Sequence, residues 1–343
     1  MRSLTGLALL MAVSSISSTA APETKAVKTK STNINPLLPS AGIKTPGIQI
    51  PFATLKPDLD LATPDKPAWM FFSESLFVPN PSKQGLDKLD VKTGKSGDPV
   101  TGISKPCSKM TFGFGSLWVP SCADGTLLRL DAKTLKQTAN LATGISAASG
   151  PLAISSDSVW LLADDKTTLL RIDPDKNEQV AEIRLPVGCR NLVFGETALW
   201  VVCPASNHVL RINPATNLVT KRITVSAEPQ SLAIGEGSIW VLSKKEGKVE
   251  RIDPKTDKVI KTIDLLVPGA VGEIAVAEGS VWVTMTGFPL TRINPTSDKV
   301  VQQFYGAGGG AIQTSTGAIW LSNLVEGKLW KIDPKRVAAT LAE

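Results

Sequence analysis

The side chains able to do covalent, acid–base or metal chemistry are few in this chain, and their spacing narrows what they can do. Histidine occurs once, as His208, so no second imidazole is present to complete a metal site or a proton relay. The four cysteines, Cys107, Cys122, Cys189 and Cys203, include no Cys-x-x-Cys pair, which argues against zinc binding and thioredoxin-type exchange. Asp164-Asp165 lacks the further oxygen donors of a calcium loop. The run Gly306–Gly310 does not open a helix, so it reads as an unusual loop path and not as a phosphate cradle. These patterns single out no catalytic residue and no metal ligand, and no cofactor is expected.

The scaffold that must position these groups is a repeat. Trp118, Trp160, Trp200, Trp240, Trp282 and Trp320 follow one another at 42, 40, 40, 42 and 38 residues, and Phe77 stands 41 residues before the first. Each aromatic is followed by an Asp or Asn: Asp90, Asp131, Asp173, Asn213, Asp253, Asn294 and Asp333. The offset is 13 residues, except in the sixth unit, where it is 12. Within one unit, the runs SLAI, SIWVLS, KVERID and KVIKTIDL are β-rich and separated by the turn clusters GEG, KKEG and PKT. The Trp run is apolar on both faces, as a strand buried between two layers must be, whereas the fourth run alternates. The Asp-Pro or Asn-Pro step suits a turn between the third and fourth strands, because proline fixes φ and the Asx side chain bonds the backbone beyond it. Seven four-stranded antiparallel units predict an all-β, seven-bladed β-propeller over residues 68–343.

The phase of the repeats predicts a last strand over Arg336–Ala342, and therefore a ring that closes without a strand from the N-terminal segment. Residues 21–67, rich in Pro, Thr and Lys, read as an irregular arm, within which Ile48–Leu55 is the stretch that could dock as an added strand. Residues 1–20 carry Arg2, an apolar run of about ten residues and the small side chains Ser18-Thr19-Ala20. That is the layout of a signal peptide and is too short for a bilayer span; the alternative is a short N-terminal anchor. The chain is accordingly expected to be exported, to a periplasm or beyond the cell, as a monomer with no membrane span. Its 37 Lys+Arg against 31 Asp+Glu give +6 without a basic block, which does not suit nucleic acid.

The cysteines follow the repeat. Cys107 and Cys122 flank Trp118 by 11 and 4 residues, and Cys189 and Cys203 flank Trp200 by 11 and 3. Each pair is centred on the turn between first and second strands, so its members are cross-strand neighbours, and the disulfides Cys107–Cys122 and Cys189–Cys203 are predicted. Four buried free thiols are the alternative.

The units RIDPKTDKVIKTIDL and EGSIWVLS resemble the YVTN-type propeller repeat and the repeat of the streptogramin lyases, which are also seven-bladed. The resemblance covers residues 68–343 and implies the fold. In those lyases a histidine follows a proline at the start of a first strand, a glutamate lies three residues after the repeat tryptophan, and magnesium assists. Here Gln230 and Arg190 stand at the first position, and Asn80, Ser121, Ala163, Cys203, Ser243, Met285 and Asn323 at the second. Neither lyase residue is present, so proton abstraction of that kind has no carrier.

In a propeller, starts of first strands and ends of second strands meet at one mouth of the central channel. The polar residues expected there are Ser108, Lys109, Arg190, Asn191, Gln230, Glu273, Gln313, Asn80 and Asn323. Adjoining loops add Asp164, Asp165, Lys166, Asn207, His208, Lys244, Lys245 and Glu246. Arg190 and Glu273 stand out, because other units place small or neutral residues there; a guanidinium at a narrow mouth can hold a carboxylate or phosphate. The function expected is non-catalytic binding of a protein partner or small ligand at the mouth. The alternative is a divergent lyase or lactone hydrolase using the same face.

Overall fold

A computed structural model describes residues 40–63, 66–146, 150–163 and 168–340. The proposed signal peptide and most of the arm lie outside the described residues. Seven sheets are arranged as a β-propeller, with blades at 71–101, 111–142, 152–184, 191–224, 229–264, 272–305 and 312–332. Within each blade the strands pair antiparallel in sequence order. The second strands are the most deeply buried: Ser238–Ser243, Ser280–Met285 and Ala198–Cys203 are buried at every position. All six repeat tryptophans are fully buried between blades.

The Trp and the Arg opposite it on the third strand form one device. Trp118, Trp200, Trp240 and Trp282 each donate Nε1–H to the carbonyl of the residue five positions earlier, at 3.0–3.2 Å. An Arg lies over each of these rings, 4.9–5.7 Å from the centroid. In blades two to five the guanidinium also reaches the Asx turn of the next blade. Arg129 donates to Pro174 O and Asn177, Arg171 to Pro214 O and Asn217, Arg211 to Asp257, and Arg251 to Pro295 O and Asp298. Lys331 closes the seventh blade onto the first through Val91 O. The Asp or Asn of the repeat is a turn former, as its sequence context predicts: Asp131 Oδ1 accepts the N–H groups of Lys133 and Thr134, and Asn213 Oδ1 those of Ala215 and Thr216.

Ring closure departs from the sequence reading. The outer strand of the seventh blade is β2 (Leu59–Ala62), paired antiparallel with Lys328–Ile332. The segment expected as the last strand is instead helical over α1 (Pro334–Ala339). The physical reason lies in the same Asp-Pro step. Asp333 accepts the Lys335 N–H as an N-cap and Pro334 occupies the first turn, so chemistry that opens a β-turn elsewhere starts a helix here. Beyond the proline, Lys335, Arg336, Ala338 and Ala339 are good helix formers, where the fifth blade has the β-branched run Val259, Ile260, Thr262 and Ile263. Leu59 and Leu61 pack with Met70, Leu76 and Trp320, which joins the last blade to the first. The stretch Ile48–Leu55 does add a strand: β1 (Gln49–Pro51) runs parallel to Lys299–Tyr305 as the fifth strand of the sixth blade. Phe52 and Leu55 beyond it fill the space between blades six and seven against Phe304, Trp330 and Val337.

Candidate functional site

First strands line the channel, so their alternation decides what faces it. Residues nine positions before the repeat tryptophans contribute Lys109, Asn191, Ser231 and Glu273 to a cavity of about 470 Å³ at one mouth. Ser108, Arg190 and Gln313 join them, with Trp69, Phe71 and Met110 as an apolar side. The sequence-predicted residues Ser108, Lys109, Arg190, Asn191, Glu273 and Gln313 are therefore brought together.

Glu273 does not pair with Arg190. Its Oε2 accepts Lys109 Nζ–H at 2.7 Å, across the channel from the sixth blade to the second, and the Ile312 N–H at 2.9 Å. Lys109 also donates to Ile312 O at 3.3 Å. The ion pair is half-buried, with the ammonium more exposed than the carboxylate. Arg190 is exposed, and among the described residues its side chain has no hydrogen-bond or ion-pair partner; its backbone N–H donates to Val202 O at 3.0 Å. Among the described residues, the charged groups lining this cavity are Lys109, Arg190 and Glu273, a net positive charge.

Both predicted disulfides are formed, Cys107–Cys122 and Cys189–Cys203. Their placement bears on the site. Cys107 immediately precedes Ser108 and Lys109, and Cys189 immediately precedes Arg190 and Asn191. Each cation of the mouth thus stands within two residues of a covalent tie to the neighbouring second strand.

Other expected residues lie elsewhere. Gln230 is half-buried and donates to Ala270 O at 3.4 Å, while its neighbour Ser231 faces the cavity. Ser231 Oγ accepts the Ile274 N–H at 3.3 Å. Asn323 is buried and its Oδ1 accepts the N–H groups of Val325 and Glu326, a turn-capping role; Asn80 does the same for Lys83. The ends of the second strands turn inward to hold their own loops, which is why this part of the expected rim does not reach the channel. His208 opens a third strand and faces Thr224 at 3.5 Å. Asn207 accepts the Glu228 N–H, Lys244 lies 3.9 Å from Glu228, and Glu246 pairs with Lys248. Lys245 is exposed. Asp164, Asp165 and Lys166 lie outside the described residues. Gly309 has φ +102°, and a Cβ there would meet Met285 O at 2.2 Å, so this glycine allows a loop to cross the end of a second strand. Among the described residues no group of His, Cys, Asp and Glu is placed to hold a metal ion, and no helix is long and apolar enough to cross a membrane.

No protein-family model matches the sequence, and no curated protein matches it either. Solved structures do resemble the fold. A streptogramin B lyase structure superposes with a TM-score of 0.67 at 18% identity, covering 81% of this chain and 97% of that one. Virginiamycin B lyase from Staphylococcus aureus gives 0.68 at 15% identity over 80% and 98%. BamB from Moraxella catarrhalis gives 0.59 at 12% identity over 83% and 84%. The chain is thus similar in architecture to the seven-bladed propellers of streptogramin B lyases, and at these identities the likeness is one of fold.

Proposed function

We propose that this chain is an exported binding propeller whose channel mouth takes a ligand through an anionic group, a carboxylate or phosphate. The observation that carries this reading is the pairing of each mouth cation with a disulfide one or two residues away. Covalent ties at these positions fix the backbone that presents Arg190 and Lys109, which lowers the ordering cost of binding. Arg190 offers an unpaired planar donor fork, and Asn191, Ser108 and Gln313 supply neutral hydrogen-bonding groups beside it. Lys109, already neutralised by Glu273, sets a polar floor. A small ligand suits a concave cavity of about 470 Å³ better than a flat protein surface does. Two disulfides favour an oxidising compartment, and the signal-peptide layout read in the sequence of residues 1–20 supports the same reading.

Binding is favoured over turnover because Glu273, the carboxylate among the described residues lining the mouth, already has its Oε2 engaged by the Lys109 ammonium and the Ile312 N–H. The experiment is a thermal-shift screen of mono-, di- and tricarboxylates and inorganic phosphate, with each hit repeated on Arg190→Ala. Stabilisation by an acid that disappears in the variant supports the reading; stabilisation that persists unchanged removes Arg190 from it.

A further inference from the structure

The ring is clasped unevenly. An Arg or Lys of the third strand reaches the turn of the next blade at the interfaces of blades two to three, three to four, four to five, five to six and seven to one. Between six and seven, Gln302 bonds Val337 O of the closing helix. Between blades one and two the equivalent cation is Lys88, opposite Phe77, and among the described residues its side chain has no hydrogen-bond or ion-pair partner. Two further changes coincide at this interface. Phe77 replaces the indole, and the first hairpin of blade one is a residue shorter: Phe72, which pairs with Leu76, stands five positions before Phe77, whereas Phe112, which pairs with Leu117, stands six before Trp118. In blades three, five and six the residue equivalent to Phe112 packs on a glycine of the preceding blade: Ile154 on Gly113, Ile234 on Gly195 and Val276 on Gly235. Phe112 has no such shelf and is 49% exposed. The result is a groove of about 530 Å³ walled by Phe77, Phe112, Leu117 and Leu135, with Lys88 inside it.

We propose that this groove is a second binding site, for a small amphipathic anion: an aromatic or branched apolar body bearing a carboxylate or sulfonate. The apolar walls and the Lys88 ammonium, which lacks a protein acceptor among the described residues, define the two ends of such a ligand. Lys133 adds a second cation at the rim. Of the acids nearby, Asp131 spends its Oδ1 on the Lys133 and Thr134 N–H groups and the Thr134 hydroxyl, and Glu74 is exposed. The groove shares no lining residue with the channel mouth, so the two proposals stand or fall separately.

The test uses the full chain and 1-anilinonaphthalene-8-sulfonate, an aromatic sulfonate whose fluorescence rises in apolar surroundings. Wild-type protein should bind it saturably. Lys88→Arg supplies the missing guanidinium, which fills the groove and reaches the second blade's turn; probe affinity should fall by about tenfold or more, while the thermal midpoint rises. Phe112→Ser, at an exposed position, should weaken binding by about fivefold or more without unfolding the protein. Lys221→Ala, at an exposed position on the outer strand of blade four and outside both cavities, should leave probe affinity unchanged. Absence of saturable binding in the wild type, unaltered affinity in both groove variants, or an equal loss of binding in Lys221→Ala would each overturn the proposal.

Discussion

The blade tryptophans differ in one respect that can be measured. Trp240 and Trp320 are both fully buried, with Arg251 5.0 Å and Lys331 5.6 Å from the respective rings. Trp240 Nε1–H donates to Gly235 O at 3.1 Å, whereas Trp320 Nε1 is buried without an acceptor among the described residues. Replacing either by Phe removes a similar volume from a similar site, so the cavity cost of the two substitutions nearly cancels in their difference. The remainder is polar. Trp240→Phe loses a made hydrogen bond, worth about 1 kcal/mol net; Trp320→Phe deletes a buried donor whose unsatisfied burial costs about 1–3 kcal/mol. Trp240→Phe should therefore be the less stable variant by about 2–4 kcal/mol. For a domain of this size that corresponds to roughly 3–6 °C in Tm. Urea unfolding of the two variants followed by far-UV circular dichroism, with m held equal, reads the difference directly. Equal stabilities, or the reverse order, would refute the reasoning that the indole N–H groups are energetically distinct.

Three other outcomes are expected. Leu61→Asp puts a charge into the contact that joins β2 to the first blade, and should cost about 2–3 kcal/mol in chemical denaturation, whereas Arg336→Ala on the exposed side of α1 should cost under about 1 kcal/mol; equal losses would argue against closure by β2. Replacing both cysteines of either disulfide by serine should cost about 3 kcal/mol by loop-closure arithmetic, and peptide mapping without reduction should recover only the pairs Cys107–Cys122 and Cys189–Cys203. Asp90, Asp131, Asp173 and Asp253 are held below the usual carboxylate range by hydrogen bonds from Thr93, Thr134, Lys176 and Lys255, residues two or three positions on. Depressed folded-state values mean that their stabilisation is complete above the unfolded value of about 3.9 and is lost as pH falls through the folded values. Asn performs the same turn at Asn213 and Asn294, so a fourfold Asp→Asn variant should keep its fold at neutral pH and lose less stability below about pH 4 than wild type does; an unchanged acid limb would count against the Asx turns as its source.

The blade count, the buried tryptophans and the disulfide register were legible because each repeats a local rule: a doubly apolar strand, an Asx turn, cysteines centred on a hairpin. Closure was not. Asp333-Pro334 carries the same Asx-Pro step as the turns at Asp173, Asn213, Asp253 and Asn294, and only the thinning of β-branched residues after it distinguishes a helix N-terminus from a turn. Leu59–Ala62 is four residues of ordinary Leu-Asp-Leu-Ala, whose role as closing strand depends on an unpaired edge more than 260 positions away. At the mouth, the rule that first strands start there put Lys109, Arg190, Asn191 and Glu273 among the expected residues. It could not say that Glu273 pairs with Lys109 across the ring and not with Arg190, because cross-channel distance depends on how the blades close. Gln230 was misplaced by one residue: a register irregularity between Pro229 and Ser231 turns Ser231 to the cavity instead. Lys88 and Lys331 stand where the other five blades have an Arg, a pattern that gains meaning only from the turns that receive those cations.

The functional proposal stands on Arg190, fixed by its disulfide, as the anion-receiving group of the mouth. Titration calorimetry of the most stabilising acid against wild type and Arg190→Ala tests it most directly. Loss of a charged bidentate contact should weaken binding by about tenfold or more with the ligand-free Tm unchanged; equal affinity in the two proteins would contradict it.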